Sequence, residues 1–500
     1  MEIMQALLYI GFLFSFFLIF LSSRVQHKNL PPSPPTSPIL GHLHLLKKPF
    51  HHALHNLSDK YGSVLFLWFG WRPVLVISTP SAIEECFTKN DVIFANRPLF
   101  PSTKLLAKDS FVMSPYGPYL RNLRRFATSE IFSSARIQMT SIIRTDEIRC
   151  LVKKLFAVGN REVEVNSLFY MLTFNIMMRM VYGERYFEGH ELESEKGRAK
   201  FNDVNLIFGS PSGPCVSDFF PFLKFVSSLI GNVKFKRLLK KRDVFLQNLI
   251  DTHRRKKRSC STTEEGDEKR KSIIEVMLLL QESEPELYTD DIIKAIIKVM
   301  LVGGTETSIT TLEAAVSFLI SHPNEFNKAR DEIDFNVGQS RLMNDDDLSK
   351  LKYLHCIINE TLRLGPTVPL IPVHESSREC VVGGFSVPKG TLLIVNTWAL
   401  HNDPKLWGDP ALFRPERFNG VEGEKAGFKL VPFGLGRRAC PGESLARRFI
   451  PLALGTLIQC FDWEKVEVNY EEGGKKMEKA KLMQVVFRPR EALMDTLFKL

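Results

Sequence analysis

Residues 433–442 read Phe-Gly-Leu-Gly-Arg-Arg-Ala-Cys-Pro-Gly, a glycine-rich and doubly cationic turn around one thiol. A single cysteine cannot build a structural zinc site, which takes four ligands. It can be the only protein ligand of a haem iron, because the porphyrin supplies the other equatorial bonds. A thiolate in that role needs a tight loop with backbone N–H groups aimed at the sulfur and cationic neighbours. Gly434, Gly436 and Gly442 permit such a turn, and Arg438 is placed to meet a propionate. Pro441 and Ala446 predict a helix beginning just after Cys440, with its positive end near the sulfur.

Two further patterns bear on chemistry. Glu360-Thr-Leu-Arg363 has the i,i+3 spacing that puts acid and base on one helical face. Gly303-Gly304-Thr305-Glu306-Thr307-Ser308 lies inside a strongly helical stretch. Two glycines in mid-helix cost about 1 kcal/mol each relative to alanine, so something must compensate. They could be plain packing notches.

The elements that must position these residues are mostly helical. The longest helical pattern starts at the N-cap Thr289, with Asp290 and Asp291 in its first turn, and runs to about Ser321, before His322-Pro323. Strand signals are short: Ser63–Leu67, Val74–Ser78, Cys380–Val387 and Thr391–Asn396, the last two flanking a Pro388-Lys389-Gly390 turn. Arg254–Ser272, running from a basic block into mixed charge, predicts a solvated loop.

With those residues in place, Phe433-x-x-Gly436-x-Arg438-x-Cys440-x-Gly442 resembles the haem-binding signature of the cytochromes P-450. The resemblance spans essentially the whole chain. It implies a mainly α fold with a small β lobe, a helix-rich triangular prism. It implies haem b as cofactor, with Cys440 as the metal ligand and Phe433, Gly434, Gly442, Arg438, Arg124, His374, Gly303 and Gly304 around it. Glu360 and Arg363 look like the ExxR pair, joined by Arg417 of Pro415-Glu-Arg-Phe418 in a buried cluster that positions the cysteine loop. In the family, the Gly303–Ser308 segment crosses the oxygen side of the haem, where the helix opens locally into a groove. Thr307 would hydrogen-bond the oxygen under activation, and Glu306 would connect it to a proton supply. Activation of O2 takes two electrons and two protons, which an acid–alcohol pair can deliver.

One position departs from the pattern. The family's WxxxR reads Leu120-Arg-Asn-Leu-Arg124 here, so leucine stands where an indole usually meets a propionate. Tryptophan at 120 would then be expected to tighten haem retention.

Asn396-Thr-Trp-Ala-Leu-His-Asn-Asp-Pro404 and His374-Glu-Ser-Ser377 look most like plant microsomal enzymes of the A-type clan, particularly those acting on isoflavones, lignans, indolic and alkaloid metabolites. This implies an NADPH- and O2-dependent monooxygenase that hydroxylates a small apolar or aromatic secondary metabolite or closes a methylenedioxy bridge on it. Phe100, Phe111, Phe208, Val368, Ile371 and Met483 would line an apolar pocket. Electrons would come from an NADPH-cytochrome reductase, for which Arg121, Arg125, Arg437, Arg447 and Arg448 offer a basic surface; a monomer is expected. Two rival readings stand beside this one. A hydroperoxide isomerase or dehydratase of the same fold would need no reductase, and Leu120 motivates a non-catalytic membrane-bound haem-binding protein.

Composition sets the outer limits. Of 500 residues, 44% are hydrophobic and 24% charged, which excludes wholesale disorder. The eight cysteines include no CxxC pair, so a disulfide scaffold is excluded and Cys440 is free to ligate. Ile3–Ser23 carries no charge, and its 21 residues would make a helix of about 31 Å, enough for a bilayer core of about 30 Å. With Arg24, Lys28, Lys47 and Lys48 following, residues 1–23 are expected to be a single endoplasmic-reticulum anchor with the body facing the cytosol. Residues 24–41, with five prolines between Pro31 and Pro38, form a stiff hinge, and 42–500 one catalytic domain. The net charge of +10 points away from nucleic acid once located: Lys234–Arg258 holds eleven Lys or Arg and two acids, a net +9 that leaves +1 for the rest. Leu238, Leu239, Phe245, Leu246, Leu249 and Ile250 recur there at helical spacing, which predicts one amphipathic helix ending in a basic loop. Phe219–Leu223 and Leu229-Ile230 just before it could dip into a bilayer.

Overall fold

A computed structural model describes residues 28–101, 111–188, 194–208, 216–220, 223, 233–259, 271–420, 427–466 and 483–500. The anchor at 1–23, most of the basic stretch 24–28 and Leu229-Ile230 lie outside them. Among the described residues, no helix is long and apolar enough to cross a membrane. The longer helices are Phe50–Tyr61 (α1), Pro80–Phe87 (α2), Pro118–Phe126 (α3), Ser141–Val158 (α4), Val165–Tyr182 (α5) and Glu195–Phe208 (α6). They continue with Val233–Ser259 (α7), Ile273–Ser283 (α8), Asp290–Ser321 (α9), Pro323–Asn336 (α10), Lys352–Leu364 (α11) and Glu443–Cys460 (α12). The expected helix-rich chain with small sheets is what the structure shows.

Contacts divide the chain into two compact units, Met1–Pro98 with Leu370–Ala399, and Leu99–Pro369 with Leu400–Leu500. The first carries a four-stranded sheet. Val64–Phe69 pairs antiparallel with Arg72–Ile77, which runs parallel to Leu392–Val395, which in turn pairs antiparallel with His374–Glu375. Leu65, Val74, Val76 and Leu393 are fully enclosed, as β-branched and leucine side chains are on a sheet covered on its faces. Cys380–Val387 is not one strand. Gly383 and Gly384 have φ of +58° and +83°, so the segment folds into a hairpin of Cys380–Val382 against Phe385–Val387.

The second unit holds the candidate chemistry. Its spine is α9, which packs along α5. A Cβ on Gly304 would come within 2.4 Å of Met177 Sδ, so this glycine is a notch that lets the two helices approach. Phe169, Phe174, Ile297, Leu312, Leu454 and Leu457 fill the core between α5, α9 and α12. Each such side chain contributes about 1.5–3 kcal/mol relative to exposure. Phe461–Lys465 and Glu162–Glu164 both pair with Gln484–Pro489 to make a small antiparallel sheet.

The basic helix forms as expected but its charge is not uniform in use. Lys236, Arg237, Lys240 and Lys241 are exposed. Towards its end Arg254 pairs with Asp290 (2.5 Å), Lys257 with Glu282 (2.6 Å) and Lys256 with Glu184. Those acids draw the predicted loop residues Arg254–Ser259 into the helix. Ser272, at the other end of the same segment, caps α8 in a reciprocal box with Glu275. Phe220 is buried against protein, which removes it from the set available to a bilayer.

Candidate active site

Cys440 ends a loop closed by main-chain bonds and precedes α12 by three residues. Its N–H donates to Phe433 O (2.8 Å), Ala439 N–H to Gly436 O (3.0 Å) and Gly434 N–H to Val431 O (3.2 Å). Gly434 and Gly436 adopt φ of +68° and +62°, a left-handed backbone that favours glycine. The sulfur presents an open face while protein rings the rest of it. Burial pushes the thiol above its ordinary value, and the N–H groups of Gly442 and Glu443 and the Arg124 charge pull the other way. The sequence expectation of N–H groups near the sulfur at a helix start is thus met by Gly442 and Glu443.

The loop is held from behind. Glu360 and Arg363 on α11 are fully buried. Arg363 donates Nε–H to Glu360 Oε2 (2.7 Å) and Nη2–H to Oε1 (2.8 Å). Arg417 adds Nε–H to Oε1 (3.1 Å), and Arg414 its backbone N–H (2.9 Å). The carboxylate is therefore saturated, as a buried charge must be. The remaining Arg363 donor reaches the carbonyls of His401 (2.7 Å) and Pro410 (2.8 Å). Sequence reasoning missed His401. Its Nε2 lies 3.2 Å from the N–H of Val431, where the cysteine loop begins. Burial and the Arg363 charge lower its pKa to about 3, so the ring is neutral.

Two guanidiniums beside the loop feel one another's charge. Arg124 donates to Ala439 O (2.9 Å), and Arg438 to Val112 O (3.4 Å) and Ser114 O. Burial and the Arg124 charge bring Arg438 down to about 10, the signature of two cations confined together. Phe111 is buried with Arg124 over its ring at 5.7 Å. Leu120, one turn before Arg124, is fully enclosed by protein. Its side chain is core, so an indole there would have to displace neighbours before meeting any ligand.

On α9 the two glycines part company. A Cβ on Gly303 would meet nothing within 4 Å, whereas Gly304 is the notch against Met177. Gly303, Glu306, Thr307 and Thr310 fall at i, i+3, i+4 and i+7 on one exposed stripe. The expected local opening of the helix is not seen: α9 is continuous α-helix across Gly303–Ser308. Thr307 Oγ1 instead donates to Gly303 O (2.6 Å), and Ser308, Thr310 and Thr311 likewise bond the carbonyls four residues back. A separate cavity of about 190 Å³ lies between α5, α6 and α9, bordered by Asn166, Tyr170, Asn205, Thr305 and Glu306. Glu306 borders that cavity and Thr307 does not. Thr305 borders it as well, its Oγ1 buried and without a hydrogen-bond partner among the described residues. Burial, with the Tyr186 and Glu306 charges, pushes the Tyr170 phenol up.

The remaining expected residues scatter. Phe208 borders the cavity and sits in an aromatic cluster with Phe174 (6.0 Å) and Phe245 (5.5 Å), so it is core. Val368 is exposed, Phe100 is half-buried, and half-buried Met483 accepts the Val165 N–H at its carbonyl (3.0 Å). His374 and Ile371 belong to the other unit. There His374 is buried with Nδ1 2.7 Å from Phe94 O, and Ile371 is buried.

The donor set tests what this site can hold. Among the described residues, no group of three or more His, Cys, Asp or Glu could hold a bare metal ion. One open thiol beside helix-end N–H groups, two confined guanidiniums and the bare backbone at Gly303 fit a metal that brings its own equatorial ligands and carboxylates, as haem does.

The comparisons agree. The family model described as cytochrome P450 matches residues 31–493. Cytochrome P450 81Q32 of Catharanthus roseus is 45% identical over 94% of this chain and 93% of its own length. The (+)-piperitol/(+)-sesamin synthase of Sesamum radiatum is 41% identical over 96% of each. An isoflavone 2'-hydroxylase of Glycyrrhiza echinata is 43% identical over 93% of each. The chain belongs to the cytochrome P450 family, and so is a haem-thiolate monooxygenase that draws on a redox partner and O2 to oxidise a small molecule.

Proposed function

We propose that this enzyme hydroxylates, or closes a methylenedioxy bridge on, a small aromatic plant secondary metabolite, with Cys440 as the thiolate ligand of haem b. The pinned cysteine loop is the observation that carries the ligand assignment. The relatives' names, an isoflavone hydroxylase and a sesamin synthase, support the substrate class. When bound, the haem supplies the oxidising power for inserting one oxygen atom of O2. Arg124 and Arg438 would hold its propionates. Thr307 Oγ1, bonded at rest to Gly303 O, would present its proton toward the reacting oxygen, and Glu306 would pass protons from the neighbouring cavity. Phe100, Phe111 and Val368 would give the substrate an apolar wall.

An NADPH-cytochrome reductase would donate the electrons, docking on the exposed Arg121, Arg125, Arg437 and Arg447. Residues 1–23 would anchor the protein in the endoplasmic reticulum, 24–41 act as the hinge and 42–500 as a monomeric catalytic domain facing the cytosol. The uncharged run Ile3–Ser23 and the prolines after it support that placement.

The test is the reduced, carbon-monoxide-bound spectrum of the purified protein. The wild type should show the thiolate-type Soret band, and Cys440→Ser should lose it while keeping its circular dichroism. NADPH- and reductase-dependent conversion of isoflavones or furofuran lignans should follow. Turnover of a fatty-acid hydroperoxide without reductase would overturn the monooxygenase assignment.

A further inference from the structure

We infer that His401 is a positioning residue for the thiolate: its Nε2 accepts the Val431 N–H and ties the origin of the cysteine loop to the buried Glu360–Arg363 pair. The inference rests on Cys440 being the haem ligand.

The geometry runs without a gap. Arg363, fixed by Glu360, donates to the His401 carbonyl at 2.7 Å. The His401 ring then lies 3.2 Å from Val431 N. Val431 O accepts from Gly434, and Phe433 O accepts from Cys440 itself, at 3.2 and 2.8 Å. Two main-chain bonds thereby fix four residues of the loop, and the first of these, Val431, is also held by one side chain.

The tautomer follows from the partner. A backbone N–H can only donate, and a neutral imidazole has one donor and one acceptor nitrogen. Nε2 is therefore the acceptor, and the proton sits on Nδ1. That Nδ1 is buried and, among the described residues, makes no hydrogen bond of good geometry, with the Arg363 main chain the acceptor that acts on the ring. A fully buried imidazole is an expensive choice for packing alone, since a phenylalanine or leucine would fill the space with no polar atoms of its own to satisfy. The charge of Arg363 and the burial keep the ring from becoming imidazolium, which could not accept at Nε2. Arg363 thus serves His401 twice, by holding its carbonyl and by keeping its ring neutral. Val431 itself is buried, so its N–H has no water to turn to if the acceptor is removed.

Three variants separate acceptor from bulk. Glutamine places Oε1 at about the reach of Nε2. Asparagine places Oδ1 at the reach of Nδ1, one bond short. Phenylalanine keeps the ring and has no acceptor. The readouts are haem retained after transfer to an apo-acceptor and the decay of the thiolate-type reduced-CO band, followed on full-length protein beside thermal midpoints. His401→Gln should hold the band nearly as long as wild type, and His401→Asn and His401→Phe should lose it roughly tenfold faster, the loss expected for one buried hydrogen bond. Equal lifetimes in all four proteins would overturn the inference. So would equal impairment of all three variants, including failure to fold, because the acceptor would then not matter. A wild type that never shows the band would instead sink the assignment of Cys440, a result the variants cannot mimic.

Discussion

The cysteine loop with its supports and the Gly303–Thr311 stretch of α9 belong to the same unit, yet they are tied into it in opposite ways. Around the loop, polar groups reach far along the chain. Glu360 binds Arg414 and Arg417, Arg363 binds His401 and Pro410, and Arg124 binds Ala439. On α9, Thr307, Ser308, Thr310 and Thr311 bond carbonyls of their own helix, and Thr311 adds one bond to Thr367. The first region is held by the fold and would lose its shape with it. The second is held by its own backbone and exposes its chemistry on a face the core does not need. Substitutions in the loop region should register first in stability, and those on the exposed α9 face first in product.

Arg363 should show the largest effect. Arg363→Ala leaves Glu360 buried with its main ion-pair partner gone, and breaking such a pair costs about 3–5 kcal/mol. Chemical denaturation of the variant should show a loss of that order, with haem no longer retained. A loss below 1 kcal/mol would mean the cluster is not load-sharing and would erase the contrast with α9.

His401 should come next, through pH. Folding lowers its pKa from 6.5 to about 3. Between those values the unfolded chain takes up a proton that the folded chain refuses, so stability falls as pH drops from 6.5 toward 3 and levels off below. From pH 6.5 to about 4.5 the wild type should lose about 2–3 kcal/mol more than His401→Gln, which has no such group. Identical pH dependence of the two would show that the ring is not held neutral in the folded protein.

How far the sequence reveals these two regions follows the same division. α9 is read almost to the residue, because its Thr289 start, its acidic first turn and the His322-Pro323 stop are local signals. The Glu360, Arg363, Arg417 and Cys440 pattern is legible because each residue falls in a short motif. What stays hidden depends on residues distant in sequence. Gly303 and Gly304 look alike until Met177 packs on one of them. His401 stands in no charged or metal-like pattern, and only the Val431 N–H reveals its use. Its signal is slight: with His374 it is one of two histidines between the ExxR and PERF segments. The Arg254–Ser259 charges read as loop because their acids, Glu184, Glu282 and Asp290, come from three other segments.

Leu120 shows the cost of reading a position from a motif without its packing. Its leucine invites replacement by the family's tryptophan, but the site is fully enclosed. Overpacking of this kind costs about 1–3 kcal/mol, so Leu120→Trp should lower the thermal midpoint and speed haem loss. An unchanged midpoint with slower haem transfer would mean that the indole escapes the core toward Arg124. The loop side would then tolerate change better than the contrast with α9 allows.

Thr307 should show the smallest effect on stability and the clearest one on chemistry. Its hydroxyl is exposed and bonds only its own helix at Gly303 O. Thr307→Val keeps the shape and removes only a hydroxyl bonded within its own helix, so stability should change by no more than about 1 kcal/mol. Product formed per NADPH should nevertheless fall by at least about tenfold, with reduced oxygen released in its place, because a positioned proton donor contributes that much or more. Glu306→Gln, on the cavity side, should behave alike if protons reach Thr307 through it. If Thr307→Val destabilised the protein as much as it lowered coupling, the hydroxyl would be part of the frame, and the division between the two regions would fail where it is drawn most sharply.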